Sequence, residues 1–171
     1  MLPGDRLACL FVGRMHRGDR FRQWPLHITI VPWFRLPDLN EDLGSGLERA
    51  LWSVRPFAAR ADGEAHFGPR RRLVRLLDVA PPLVTVEYKV RGYLHKKRAW
   101  LVDETTKRHY DFRPHVTAQH EQELPATAVV ECARLYIVEQ KGDYKEIVSE
   151  VSFGKTTARC DDGGTQSGGF S

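Results

Sequence analysis

The chain has 171 residues, of which 42% are apolar and 28% charged, as is typical of one soluble globular domain. Its apolar runs are too short to span a membrane, and the apolar stretch at 7–13 lacks the cleavage pattern of a signal peptide. The net charge of +4 is modest, but basic residues cluster at 14–22, 68–75 and 93–98, which favours a polyanionic partner such as a phosphate backbone.

The first third of the chain predicts two strands and a helix. Residues 6–13 are a continuous apolar run typical of a buried strand, and 14–25 predict a long polar loop. A second strand, rich in β-branched and aromatic residues, is predicted over 26–34. Leucines at helical spacing then predict a helix over 38–54, weakened by two internal glycines.

The remaining elements alternate between strands and one longer helix. Alternation and proline positions predict strands over 57–67 and 72–80, and an apolar stripe predicts a helix over 83–98. A strand is predicted over 113–119, and 128–153 predict two strands joined by a Lys-Gly-Asp turn. The elements lack a regular βαβ rhythm, so we expect an α+β fold with a mostly antiparallel sheet.

The domain organisation and cellular compartment follow from composition. Residues 1–155 are expected to form a single domain, and 156–171, rich in glycine and serine without periodicity, a flexible tail. Cys9, Cys132 and Cys160 are odd in number and lack metal-ligand spacing, which argues against a disulfide framework and a structural zinc site. A cytoplasmic, monomeric protein with no membrane contact and no obligatory protein partner is expected.

Two His-x-Thr triplets are the candidate catalytic motifs of the sequence. Only two of the seven histidines are followed two places later by threonine, in His27-Ile28-Thr29 and His115-Val116-Thr117. Each triplet lies in a predicted strand, where residues i and i+2 point to the same face. Each strand therefore offers a histidine and a threonine on one face and apolar residues on the other.

This pattern suits acid/base chemistry on a phosphoester. Two imidazoles supply an acid and a base near neutral pH, and threonine hydroxyls can hold phosphate oxygens. No local signature of an activated serine or cysteine accompanies the triplets, and neither has a carboxylate beside its histidine, which argues against acyl transfer and a metal site. We therefore expect no metal and no cofactor.

The order and spacing of these motifs resemble a known family. The two triplets lie 88 positions apart, and with "LHITIV", "FRPHVTA" and the closing "LYIVEQKGDYKEIVSEVSF" they are similar to the two-histidine phosphoesterases, over about residues 5–153. That family includes RNA 2′,3′-cyclic phosphodiesterases and 2′-5′ RNA ligases. The resemblance implies two lobes, related by a pseudo-two-fold axis, whose antiparallel sheets face a central groove with helices outside. It also implies His27, Thr29, His115 and Thr117 as the catalytic residues.

Several functions fit these residues. The first is metal-independent hydrolysis of a 2′,3′-cyclic phosphate on a nucleotide or an RNA end, with one histidine activating water and the other protonating the departing ribose oxygen. Cleavage or ligation of 2′-5′ phosphodiesters and trimming of RNA 3′ ends would use the same residues. A module of a different class would bind RNA or nucleotides without turnover. The sequence does not say which histidine is the acid.

Further residues are candidates for binding the substrate. Arg113 shares the stripe of His115 and could neutralise a phosphate oxygen, or it could be a partner in a salt bridge at the rim. The polar loop before the first motif, which carries Arg20 and Arg22, could grip a substrate as a lid. Three aromatic residues could stack on a base, although aromatics in strands more often belong to the core: Trp33, Phe34 and Tyr136.

Overall fold

A computed structural model describes residues 1–38, 40–102, 112–119 and 122–154. The elements in chain order are β1 (Arg6–Phe11), β2 (Arg20–Phe21), β3 (His27–Arg35), α1 (Gly44–Leu51), β4 (Phe57–Phe67), β5 (Arg72–Leu77), α2 (Pro81–Lys96), β6 (Trp100–Leu101), β7 (His115–Thr117), β8 (Val129–Cys132), β9 (Arg134–Lys141) and β10 (Tyr144–Ser152).

The strands pair antiparallel throughout these described ranges. Their order is β2-β10-β9-β1-β3-β7-β5-β4-β8, and β6 pairs with β3 beside this path. The two strands that carry the His-x-Thr triplets, β3 and β7, are direct neighbours at the middle of the path. The expectation of a mostly antiparallel α+β fold is therefore confirmed.

Both helices pack on one face of the sheet, where they bury the larger of two apolar clusters. Ile28 and Ile30 of β3 and Val116 of β7 are at most 1% exposed and lie in this cluster with the leucines of α1 and the apolar stripe of α2. The alternation of the two motif strands explains this placement, because the apolar residues that flank each threonine and histidine, Ile28, Ile30 and Val116, point to the helix side. The triplet side chains are thereby directed to the opposite face.

The packing of α1 against α2 depends on a small residue. Gly46 is buried, and a Cβ added there would collide with the ring of Tyr93 in α2. Only glycine therefore allows this close approach, although it weakens the helix. The helix has 8 residues where the leucine spacing predicts 17, from 38 to 54.

Most predicted elements match, and the differences are local. The segment 128–153 forms three strands rather than two, because Ala133 separates β8 from β9. β8 pairs with β4 at one end of the strand order, whereas β9 pairs with β1 and β10 near the other end. The two-residue strand β2 falls in the predicted loop at 14–25, and β6 falls in a segment for which the sequence pattern predicts no element. Strands this short carry too few residues to show alternation.

The strand pairing also differs from the expected pair of facing sheets. The backbone pair between Ile28 and Val116 joins β3 to β7, so that hydrogen-bonded neighbours run continuously from β2 to β8. The motif strands thus lie side by side in one sheet. The expected tail, 156–171, lies outside the described residues.

Two general expectations can be compared with the described residues. None of the helices found there is long and apolar enough to cross a membrane. Cys9 and Cys132 are both free and buried, and burial raises the pKa of the Cys132 thiol to about 12. These two cysteines are therefore inert packing residues, and Cys160 lies outside the described ranges.

Candidate active site

The strand register brings the two triplets together on one face. The antiparallel pair between Ile28 and Val116 places the flanking residues opposite each other, His27 across from Thr117 and Thr29 across from His115. Directly opposite side chains have Cβ atoms about 5 Å apart and diagonal ones about 7–8 Å. The two histidines are a diagonal pair, which leaves room for one phosphate group between them.

Each histidine is held by the same local hydrogen bond. The Nδ1 atom of His27 lies 2.8 Å from the carbonyl oxygen of Pro25, and the Nδ1 atom of His115 lies 2.8 Å from that of Arg113. In both cases the acceptor is two residues earlier in the chain. A carbonyl can only accept, so Nδ1 carries a proton and Nε2 remains available for chemistry on both rings.

An aromatic ring packs against each imidazole. The ring of Trp24 lies 4.4 Å from that of His27 between centroids, at an interplanar angle of 31°, and Phe11 approaches from the neighbouring strand β1 at 6.1 Å. On the other side, Phe67 of β4 contacts His115 edge-on at 4.8 Å. These contacts fix the orientation of both rings, and those of Trp24 and Phe11 help to bury His27.

The protonation equilibrium of His27 is shifted by this environment. Burial lowers the pKa of His27 below the ordinary value of 6.5, and the hydrogen bond to Pro25 opposes that shift without cancelling it. The charge of His115 lowers the pKa of His27 further, since the two imidazoles are close enough to repel each other when both are protonated. His27 is therefore mainly neutral at neutral pH, with a free lone pair on Nε2.

The segment before the first triplet covers the same face of the sheet. Phe21 of β2 and Trp24 pack with Phe11 and Tyr136 in a second apolar cluster beside His27. The hydroxyl of Tyr136 donates to the carbonyl of Met15, which ties this segment to β9. The polar loop predicted at 14–25 is thus folded over the sheet next to the first histidine.

The aromatic candidates are placed differently by the structure. Trp33 is half-buried in the second cluster, 6.0 Å from Trp24, and remains on the side of the histidines. Phe34 is only 1% exposed and packs in the helix-side core, so it is a core residue rather than a substrate contact. Tyr136 is 3% exposed with its hydroxyl already bonded, and a core role accounts for it.

The arginine candidates lie at the surface. Arg113 is exposed, and its carbonyl accepts the bond from His115. Arg20 and Arg22 alternate with Phe21, so they point away from the apolar cluster, and they form ion pairs with Glu146 at 3.2 Å and Asp143 at 2.8 Å. The interpretation of Arg20 and Arg22 as substrate contacts is therefore not supported by their orientation.

Three residues around the site were not assigned a role of their own from the sequence. Trp24 lies in the loop at 14–25 that was expected to act as a lid, whereas Phe67 reaches His115 only through the tertiary pairing of β4, β5 and β7. Arg72, within the basic cluster at 68–75, is the cross-strand partner of Phe67. It lies two residues before Val74, the cross-strand partner of Thr117, so Arg72 is on the same face as Thr117. It is exposed there and available to a phosphate of a longer substrate.

The donor set of the site is that of acid/base catalysis on an anion. Two imidazole Nε2 atoms and two threonine hydroxyls converge on the same face, and no carboxylate lies on either triplet. Within the described ranges no group of three or more histidine, cysteine, aspartate or glutamate side chains is arranged to hold a metal ion. The arrangement can accept one proton, donate another and hold the oxygens of a phosphate between them.

Comparison with known proteins places the fold in a defined group. A family model described as the 2′-5′ RNA ligase superfamily matches residues 5–151. Among solved structures, TT0787 of Thermus thermophilus aligns with a TM-score of 0.54 and 18% identity over 88% of this chain and 98% of its own. E. coli LigT complexed with 3′-AMP aligns with a TM-score of 0.54 and 12% identity, and LigT complexed with NADP+ with 0.56 and 10%, each over 90% of this chain and 100% of LigT. A search of curated proteins found no match.

Proposed function

Because the chain belongs to the 2′-5′ RNA ligase superfamily, we propose that it is a metal-independent phosphoesterase that hydrolyses 2′,3′-cyclic phosphates of nucleotides or RNA ends. The observation that carries this proposal is the cross-strand register of β3 and β7, which brings two equivalent His-x-Thr triplets to one face of neighbouring strands. The identical Nδ1 bonds of His27 and His115 support paired roles for their Nε2 atoms.

The lowered pKa of His27 supports a role for this histidine as the base. Neutral His27 takes a proton from water through Nε2 as the water oxygen attacks phosphorus. The bond from phosphorus to one ribose oxygen breaks, and protonated His115 delivers its Nε2 proton to that oxygen. The net result is transfer of one proton from water to the ribose and formation of a phosphate monoester. Thr29 and Thr117 donate hydrogen bonds to the non-bridging oxygens, whose charge grows in the transition state.

The solved relatives support a nucleotide substrate. LigT is complexed with 3′-AMP in one solved structure and with NADP+ in another, and both compounds contain adenosine phosphates. A nucleoside 3′-phosphate is also one of the two monoesters that opening of a 2′,3′-cyclic phosphate can give. A cytoplasmic location, where RNA ends are available, fits this proposal.

Single histidine variants test the proposal. The four nucleoside 2′,3′-cyclic phosphates and a short RNA with that end are incubated with wild-type protein, His27→Ala, His115→Ala and the double variant, and products are separated by chromatography. Each single variant should lose about 10²–10⁴ in kcat, and the double variant little more, because the two groups act as a unit. His66→Ala changes an exposed histidine that points to the opposite face of β4 from Phe67, and it should retain full activity.

The alternatives predict other outcomes of the same assay. A 2′-5′ nuclease would cleave a 2′-5′-linked dinucleotide and leave the cyclic phosphates intact, whereas a ligase would join a cyclic phosphate to a 5′-hydroxyl end. A binding module would retain affinity for these compounds and release no product with any of them. Any of these results would contradict cyclic-phosphate hydrolysis as the activity.

A further inference from the structure

A cavity of about 810 Å³ lies on the helix side of the sheet, away from the two histidines. Its walls come from α1, α2 and β6, and its floor includes Val31 and Phe34 of β3. Both floor residues belong to the helix-side core, whereas His27 and Thr29 point to the opposite face of the same strand. The cavity is therefore separate from the candidate active site, and its size is typical of a ligand pocket.

Three large aromatic side chains line this cavity and are left open to solvent. The exposed fractions are 72% for Trp52, 77% for Tyr88 and 44% for Trp100. Trp52 follows the end of α1, Tyr88 lies on α2, and Trp100 begins β6, so separate elements bring the rings to one place. Aromatic residues exposed together in this way are typical of a binding surface.

The charge of the cavity selects an anionic ligand. Four of its lining residues are cationic, Arg49, Lys89, Arg91 and Lys96, and none carries a carboxylate. Arg91 is engaged with Glu87, which lies outside the lining. None of Arg49, Lys89 and Lys96 forms a salt bridge with another residue of the described ranges.

A glycine on α2 keeps the cavity open. Gly92 lies within the helix and one turn after Tyr88, and a Cβ added there would meet no atom within 4 Å. Glycine inside a helix costs about 1 kcal/mol relative to alanine, and here no close packing requires it. Its effect is to leave space between the exposed rings.

We propose that this cavity is a second binding site, for single-stranded RNA, in which bases stack on Trp52, Tyr88 and Trp100 and phosphates pair with Arg49, Lys89 and Lys96. Aromatic and cationic side chains that line one concave surface match the bases and phosphates of a single strand. An anionic peptide would satisfy the cations without using three ring faces, and a membrane surface would not use a concave pocket. The site goes beyond the proposed function, because it would hold the body of an RNA independently of the chemistry at its end.

The positions of the four tryptophans provide a direct readout. Trp24 and Trp33 lie at the candidate active site, and Trp52 and Trp100 at the cavity. The full chain is labelled with 5-fluorotryptophan, its fluorine resonances are assigned from Trp→Phe variants, and it is titrated with a 12-residue oligouridylate that ends in a free 3′-hydroxyl. The resonances of Trp52 and Trp100 should shift on binding, while uridine 2′,3′-cyclic phosphate should shift those of Trp24 and Trp33.

Substitutions then test which groups bind the strand. Fluorescence anisotropy with the labelled oligouridylate should show Kd raised about tenfold by Trp52→Ala or Tyr88→Ala, because each removes a stacking platform. Gly92→Leu should weaken binding comparably by filling the cavity. Lys89→Glu should also reduce the slope of log K against log salt by about 0.7 for the lost phosphate contact. Arg60→Glu, an exposed charge reversal on β4, is the matched control and should have a much smaller effect.

Two controls separate this site from its alternatives. The cavity variants should hydrolyse uridine 2′,3′-cyclic phosphate at the wild-type rate, and the oligouridylate assay gives a result even if no hydrolysis exists. The proposal is overturned if the oligouridylate shifts only Trp24 and Trp33, or if the cavity variants bind it as the wild type does. It is also overturned if the same substitutions abolish binding to phosphatidylglycerol vesicles and leave RNA binding unchanged.

Discussion

Replacing Trp24 should shift the pH dependence of the proposed hydrolysis in a defined direction. The ring lies 4.4 Å from His27, and burial is the largest cause of the lowered pKa of that histidine. In Trp24→Ala, water reaches the imidazole of His27 and stabilises its protonated, charged form. The pKa of His27 should therefore rise toward 6.5, and with it the acid limb of kcat/KM.

The size of the effect depends on how far the pKa rises. On the acid side of the limb, each unit of upward shift lowers kcat/KM about tenfold, whereas above about pH 8 the base is neutral in both proteins and the rates should agree within severalfold. A buried indole contributes about 150 Å² of apolar contact, which at about 25 cal/mol per Å² corresponds to about 4 kcal/mol of stability at most. Assays at low temperature keep the variant folded, and Trp24→Phe retains a ring and should shift less.

Two measurements decide this prediction. The imidazole resonance of His27 is titrated by NMR, with His27→Gln used for its assignment, and kcat/KM for a cyclic nucleotide is measured from pH 5 to 9. Trp33→Ala, which removes a neighbour of Trp24 rather than of His27, is the matched control. An unchanged acid limb in Trp24→Ala, or one moved to lower pH, would refute the account of how His27 is tuned.

Three further outcomes are expected. In kinetics with a cyclic nucleotide, Thr29→Val or Thr117→Val should lower kcat less than either histidine change. Serine at the same position should restore most of the lost kcat, because it restores the hydroxyl. A serine variant that loses as much kcat as the valine variant would argue against a role for the hydroxyl. Arg72→Ala should raise KM for an RNA-ended substrate more than for a mononucleotide, and a uniform change would place Arg72 elsewhere in the mechanism. Since the folded pKa of His27 lies below its unfolded value, the stability that neutral His27 contributes is present above about pH 6.5 and is lost as pH falls through the folded pKa. Urea unfolding between pH 7.5 and 5 should therefore show a smaller loss in His27→Gln than in the wild type, and parallel losses would contradict this linkage.

The positions of the triplet residues could be predicted because a strand imposes a two-residue period. His27 and Thr29 had to share a face once Ile28 and Ile30 were assigned to the core, and both isoleucines are fully buried. The same reasoning placed Val116 behind the second triplet. What it could not give was the direct pairing of β3 with β7, because register between distant strands depends on the whole sheet.

Other features depended on tertiary contacts that the sequence pattern does not record. Phe34 and Trp33 are adjacent aromatics in one strand, and irregular register between β1 and β3 decides which of them enters the core. Phe67 precedes His115 by 48 residues, and no local sequence pattern links the two residues, although their rings are in contact. Ala133, at the change of partner between β8 and β9, lies in a stretch whose composition predicts a continuous strand.

The central claim is that His27 and His115 together direct water onto a cyclic phosphate. The most direct measurement is ³¹P NMR of adenosine 2′,3′-cyclic phosphate incubated with the protein in water enriched in ¹⁸O, beside the His27→Ala, His115→Ala double variant. The account predicts one phosphate monoester that carries a single solvent ¹⁸O, formed by the wild-type protein, and no enzymatic turnover by the folded double variant. An unchanged cyclic phosphate with the wild-type protein, or equal turnover by both proteins, would contradict it.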